Sequence, residues 1–112
     1  MRKAALAGAL IVAAPATAAS FDCGRARTPD ERAICASRTL NDRDVVMATY
    51  LALNRRLMMM GNRGAMLDRQ QAWLAERRLC GADHGCLTRI YDRRIAELRA
   101  FLDTRVVPQG PF

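Results

Sequence analysis

The chain has 112 residues, a formal charge of +7 and four cysteines, with only three Phe, two Tyr and one Trp. That length makes one domain with a modest core, and so few aromatics argue against a base-stacking surface, so no specific nucleic-acid partner is expected. The basic excess predicts weak affinity for polyanions such as lipid head groups or lipopolysaccharide.

The N-terminus reads as an export leader. Arg2 and Lys3 precede the uncharged run Ala4 to Ala14, 11 residues long, about half of the roughly 20 that a membrane-crossing helix needs. Pro15 ends the run, and Ala16-Thr17-Ala18-Ala19 supplies the small residues that a signal peptidase reads. Residues 1–19 are therefore expected to be a signal peptide, cleaved after Ala18 or Ala19. No lipoprotein cysteine follows, because Ser20-Phe21-Asp22 separates Cys23 from the small residues. The product is expected to be periplasmic or secreted, without a transmembrane segment. Loss of Arg2 and Lys3 leaves 16 of the 18 basic residues, all arginine, against 11 acidic ones, a balance of +5.

Residues 20–105 read as one helical domain. Thr28 is placed to cap a short helix from about Pro29 to Cys35, with Pro29 at the first position and Glu31 at the capping-box position. Ser37 or Thr39 can cap a longer helix reaching about Met59, striped by Leu40, Met47, Tyr50, Leu51, Leu57 and Met58. Gly61-Asn62-Arg63-Gly64 is expected to break it. Helical spacing resumes from about Ala65 to Cys80 through Met66, Leu67, Gln70, Trp73, Leu74 and Arg77. Gly81 to Gly85 is a turn between two cysteines. A last helix follows from about Cys86 to Arg105, striped by Leu87, Ile90, Tyr91, Ile95, Leu98, Phe101 and Leu102. Residues 106–112, with Pro108 and Pro111, read as a flexible tail. No stretch alternates with a period of two. The expected fold is all-α: a small hairpin or bundle of two to three long helices with a disulfide-stapled N-terminal arm.

Cys23, Cys35, Cys80 and Cys86 read as two disulfides in an exported chain. Of the three possible connectivities, local pairing is favoured: Cys23 with Cys35 and Cys80 with Cys86. The spacings are too long for the paired cysteines of a zinc site, and no Cys-x-x-Cys redox motif exists, so neither metal nor cofactor is expected. His84, the one histidine, reads as a solvated turn residue, and Ser20 and Ser37 have no evident partner base. Asp42 with Asp44, and Glu76 with Asp83, read as solvated acids rather than a catalytic pair. Met58-Met59-Met60 splays around a helix and suits core filling better than a soft metal. Trp73 reads as core, or failing that as a binding anchor. No enzyme is expected.

The run Gln70-Gln71-Ala72-Trp73-Leu74-Ala75-Glu76-Arg77-Arg78-Leu79-Cys80, continued by Cys86-Leu87, Tyr91, Arg94, Ile95 and Leu98, resembles the LprI-type lysozyme inhibitor N-terminal domain family. The front of the chain resembles it too, in Phe21-Asp22-Cys23, Thr28-Pro29-Asp30-Glu31-Arg32-Ala33-Ile34-Cys35, Leu40 and Asp44. The resemblance implies an exported helical domain in which Gln70, Trp73, Leu74, Arg77, Leu87, Tyr91 and Arg94 serve mainly structure. Its namesake activity implies lysozyme, or another cell-wall hydrolase, as partner. The basic balance offers an anionic envelope surface, or a structural and stress-protective role, as the alternative. Long-range repulsion opposes a basic lysozyme, and an acidic patch such as Asp42 with Asp44 is the feature that could overcome it.

Overall fold

The computed structural model describes Gly8, residues 19–58 and residues 60–106. The leader and the C-terminal tail therefore lie outside the described residues, apart from Gly8, Ala19 and Val106.

The chain is all-α, and no strand occurs among the described residues. A 3-10 turn at Cys23–Arg25 leads into α1 (Pro29–Ala36), α2 (Arg38–Leu57), α3 (Met60–Leu79) and α4 (His84–Phe101), which ends in a π-helical turn, Leu102–Val106. Pro29 opens α1 as its fixed φ favours. The capping box does not form there. The Thr28 hydroxyl instead donates to the Glu31 carboxylate at 2.6 Å and makes no side-chain cap bond to the backbone. Ser37 does cap α2, accepting from the Leu40 amide, and Asp83 caps α4 by accepting from the Cys86 amide at 2.9 Å.

The expected break at Gly61–Gly64 is not where the helices divide. α2 stops at Met58, whose extended backbone (φ −83°, ψ 145°) turns its side chain into the core, and α3 starts at Met60 and runs through both glycines. Nothing lies within 4 Å of a Cβ built on Gly64. A glycine inside a helix costs only about 1 kcal/mol, less than burying Met58 returns. The last helix likewise starts at His84 rather than Cys86.

Three cross-helix pairs, Ser37–His84, Asp44–Tyr91 and Asn54–Leu98, ascend together, so α2 and α4 run parallel. Arg77–Tyr91 and Gln70–Arg94 descend, so α3 lies antiparallel to α4. α4 thus packs on both long neighbours, while α1 closes one end against α2 and α3. The core is Ile34, Leu40, Met47, Met58, Met66, Trp73, Leu87, Ile90, Tyr91 and Leu98. Leu57 and Leu67 leave the expected stripe and are 46% and 40% exposed. Trp73 fills the centre edge-on to Tyr91, centroids 5.1 Å apart, and its indole N–H donates to the Ile90 carbonyl at 3.2 Å.

Two disulfides are present with the local pairing, Cys23–Cys35 and Cys80–Cys86. The first ties the N-terminal arm to α1. The second clamps the turn between α3 and α4. Among the described residues, no helix is long and apolar enough to cross a membrane.

Candidate functional site

The seven residues to which the resemblance gives a mainly structural role converge inside the protein. Gln70, Trp73, Arg77, Leu87, Tyr91 and Arg94 are all buried, and Leu74 is half-buried. Their polar members form two connected groups. In the first, the Arg77 Nε donates to Asp30 Oδ2 at 2.8 Å, and Arg77 Nη1 lies 3.3 Å from the Tyr91 hydroxyl. That hydroxyl donates to Asp44 Oδ1 at 2.7 Å, and Arg77 Nη1 stands 4.0 Å from the same oxygen. The backbone N–H of Ser20 donates to the other oxygen, Asp44 Oδ2. The Phe21 ring covers the guanidinium, 5.4 Å from Cζ to centroid.

Both carboxylates of this group are fully buried. Burial alone would raise the Asp30 carboxyl, but Thr28 and the Arg77 guanidinium outweigh it and hold it below the usual range. Burial, then the charge of Asp44, pushes the Tyr91 phenol far above its ordinary value, so it stays a neutral donor.

In the second group, Arg94 Nε donates to Gln70 Oε1 at 3.0 Å and Nη1 to Glu97 Oε2 at 3.0 Å. Burial lowers the Arg94 guanidinium from its ordinary value, yet so strong a base keeps its charge at neutral pH. Arg69 and Arg93 extend this group outward through Glu97 and Glu76. Asp44, expected on a solvated face beside Asp42, is therefore inside, and no acidic patch joins the two. No local pattern in the sequence marks the partners of Asp30, Asp44 or Asn54, which lie 44 to 47 residues away.

The outer surface carries two features that could meet a partner. One is the tip between α3 and α4. Leu79 stands there 88% exposed, directly before the clamped turn. Amides of Cys80, Gly81 and Asp83 donate back to Arg77, Arg78 and Cys80 carbonyls, each at 3.1 Å. Gly81 takes the left-handed φ of +55° that lets the chain reverse. His84 is exposed, but its Nε2 lies 3.0 Å from the Ser37 hydroxyl, tethering the tip to the α1–α2 junction. Ser37 thus has a neighbouring base after all. Its oxygen also accepts from the Leu40 amide as the α2 cap, and among the described residues no carboxylate hydrogen-bonds His84, so the pair lacks the orienting third group of a nucleophile triad. Arg78 and Arg89 are exposed beside the tip, and the Arg89 guanidinium lies against Gly85.

The other feature is a corner where α2 meets α3. Arg55, Arg56 and Arg63 line one hollow with Ala52, and among the described residues none of the three has an acidic partner. Leu53 and Leu57 lie exposed nearby on α2. No group of three or more His, Cys, Asp or Glu that could hold a metal occurs among the described residues. No family model, no curated protein and no solved structure matches this chain.

Proposed function

We propose that this chain is an exported, non-enzymatic binding protein of the LprI type, and that it inhibits a cell-wall glycoside hydrolase such as lysozyme. The tip between α3 and α4 is the part that enters the hydrolase cleft. The observation that carries this reading is Leu79, 88% exposed at the end of α3, directly before the turn held by Cys80–Cys86. An apolar side chain on a pre-organised helix end loses little freedom when it binds. Glycoside hydrolases place a pair of carboxylates in a cleft, and the exposed cations Arg78, next to Leu79 in the chain, and Arg89, which lines one hollow with it, offer complementary charge. The resemblance to the LprI family supports the partner class, and the same run that buries Gln70, Trp73 and Arg77 presents Arg78 and Leu79 at the surface. Two disulfides support export, since such bonds persist in oxidising compartments.

The test is cell-wall lysis by lysozymes of several classes, titrated with the oxidised, processed protein at low and near-physiological salt. Stoichiometric loss of activity is expected, with Leu79→Asp weakening inhibition at least about tenfold. Full activity of every lysozyme in the presence of excess protein would retire the inhibitor reading. A second reading then comes forward, carried by the Arg55–Arg56–Arg63 corner: docking on an anionic envelope surface, with binding that falls steeply as salt rises.

A further inference from the structure

The buried group on α1, α2 and α3 is short of one positive charge. Asp30 and Asp44 are both fully buried, Arg77 is the one cation between them, and Tyr91 stays neutral. Arg77 is committed to Asp30 through Nε at 2.8 Å and only approaches Asp44, at 4.0 Å. Among the described residues Asp44 therefore lacks a close cation, and a buried carboxylate is costly unless it is paired. The atom that does reach its second oxygen is the backbone nitrogen of Ser20. That nitrogen is held in place by its own arm. Phe21 packs on the Arg77 guanidinium, Asp22 caps the following turn through the Gly24 amide at 2.8 Å, and Cys23 is bonded to Cys35 on α1.

Ser20 is also the residue that follows Ala19, one of two positions at which the leader can be cut. We infer that processing occurs between Ala19 and Ser20, and that the α-ammonium group it creates becomes the missing cation, an ion pair on Asp44 that only the processed chain can form. This inference rests on the export reading. The step is a hydrolysis by a signal peptidase: water adds across the Ala19–Ser20 amide, Ala19 leaves as a carboxylate, and the freed Ser20 nitrogen takes a proton. Cutting after Ala18 instead would leave an uncharged amide at Asp44 and carry the new charge one residue away. Removal of the leader thus completes the buried charge balance and locks the arm onto α2, so the folded core is finished only after export.

The sequence makes the ion pair measurable. The chain's single lysine, Lys3, lies in the leader, so the processed protein has one primary amine, its N-terminus. The full chain is expressed for export, the intact mass of the product is measured, and the rate of acylation by an amine-specific reagent is followed in the native and urea-unfolded protein. The expected mass begins at Ser20. The expected native rate at near-neutral pH is at least about tenfold below the unfolded rate, as an amine raised by one pKa unit or more would give. Asp44→Asn should return the native rate to within about twofold of the unfolded one. A chain retaining Ala19 should do the same if Asp44→Asn fails to fold.

The pH profile has a defined sign. An amine whose folded pKa is raised contributes stability in full below its unfolded value of about 8, and loses it as pH rises through the folded value. Tyr91 is pushed above that window and Asp30 is held below it, while Arg77 keeps its charge throughout. Wild-type stability should therefore fall above about pH 8, and the Ala19-retaining chain should show no such fall. An exported product beginning elsewhere, or a native amine as reactive as the unfolded one, overturns the ion pair and leaves the export reading standing. An unprocessed chain kept in the cytoplasm overturns both.

Discussion

Arg77 is the residue on which the buried charges depend. Among the described residues it is the one cation near both Asp30 and Asp44, hydrogen-bonded to the first at 2.8 Å and standing 4.0 Å from the second. Removing one partner of a buried pair leaves an uncompensated charge and costs about 3–5 kcal/mol. Arg77→Ala should lower the urea midpoint accordingly, and Arg77→Lys should recover only part, since an ammonium lacks the planar fork that serves Asp30 and Tyr91 together. The same pairing gives an acid limb. The Asp30 carboxyl is held below its ordinary range, so its contribution is present above the unfolded value of about 3.9 and is lost as pH falls through the folded one. Urea midpoints measured from pH 5 downward should drop in wild type and change less in Asp30→Asn. An identical acid limb in the two proteins would remove Asp30 from this role.

The joints between helices decide the shape, and each has a single-site test. Gly64 lies within α3 in open space, where alanine gains about 0.5–1 kcal/mol over glycine. Gly64→Ala should raise the melting temperature; a fall would mean that the chain bends there after all. Gly81→Ala should do the reverse, because a left-handed φ of +55° penalises a Cβ by about 1–2 kcal/mol. The Cys80–Cys86 bond closes a loop across a sequence separation of 6, which the chain-entropy account values at about 2 kcal/mol. Cys80→Ser should lower the melting temperature clearly, and an unchanged curve would mean that no bridge forms there. On the proposal of hydrolase inhibition, the same variant should weaken it by loosening the turn beside Leu79.

Across the whole molecule, charge is sorted by depth. Two carboxylates are drawn inside with Arg77, while Arg55, Arg56 and Arg63 gather at the α2–α3 corner without acidic partners among the described residues. Replacing these three by glutamate should abolish binding to anionic vesicles and leave the fold intact, as sedimentation with vesicles and circular dichroism would report. Retained vesicle binding would exclude the corner as an anionic docking surface.

The amino-acid sequence determined the elements and the staples. Periodicity alone marks the long helices, even cysteine count marks the bridges, and Ser37 stands at a true helix start. Even the buried polar residues leave a trace: Leu40, Asp44, Met47, Leu51, Asn54 and Met58 keep one spacing of three and four, so Asp44 and Asn54 lie in phase with the apolar stripe. Periodicity places a residue on a face without saying what it meets there. Only the tertiary structure brought Asp44 to Tyr91 and Ser20, 47 and 24 residues away, and Ser37 to His84 across 47. It also moved the helix break from two glycines to Met58. The break depended on whether a methionine could be buried, and the ion cluster on which charges three helices carry to the same point. Both are properties of packing between elements, which local sequence does not encode.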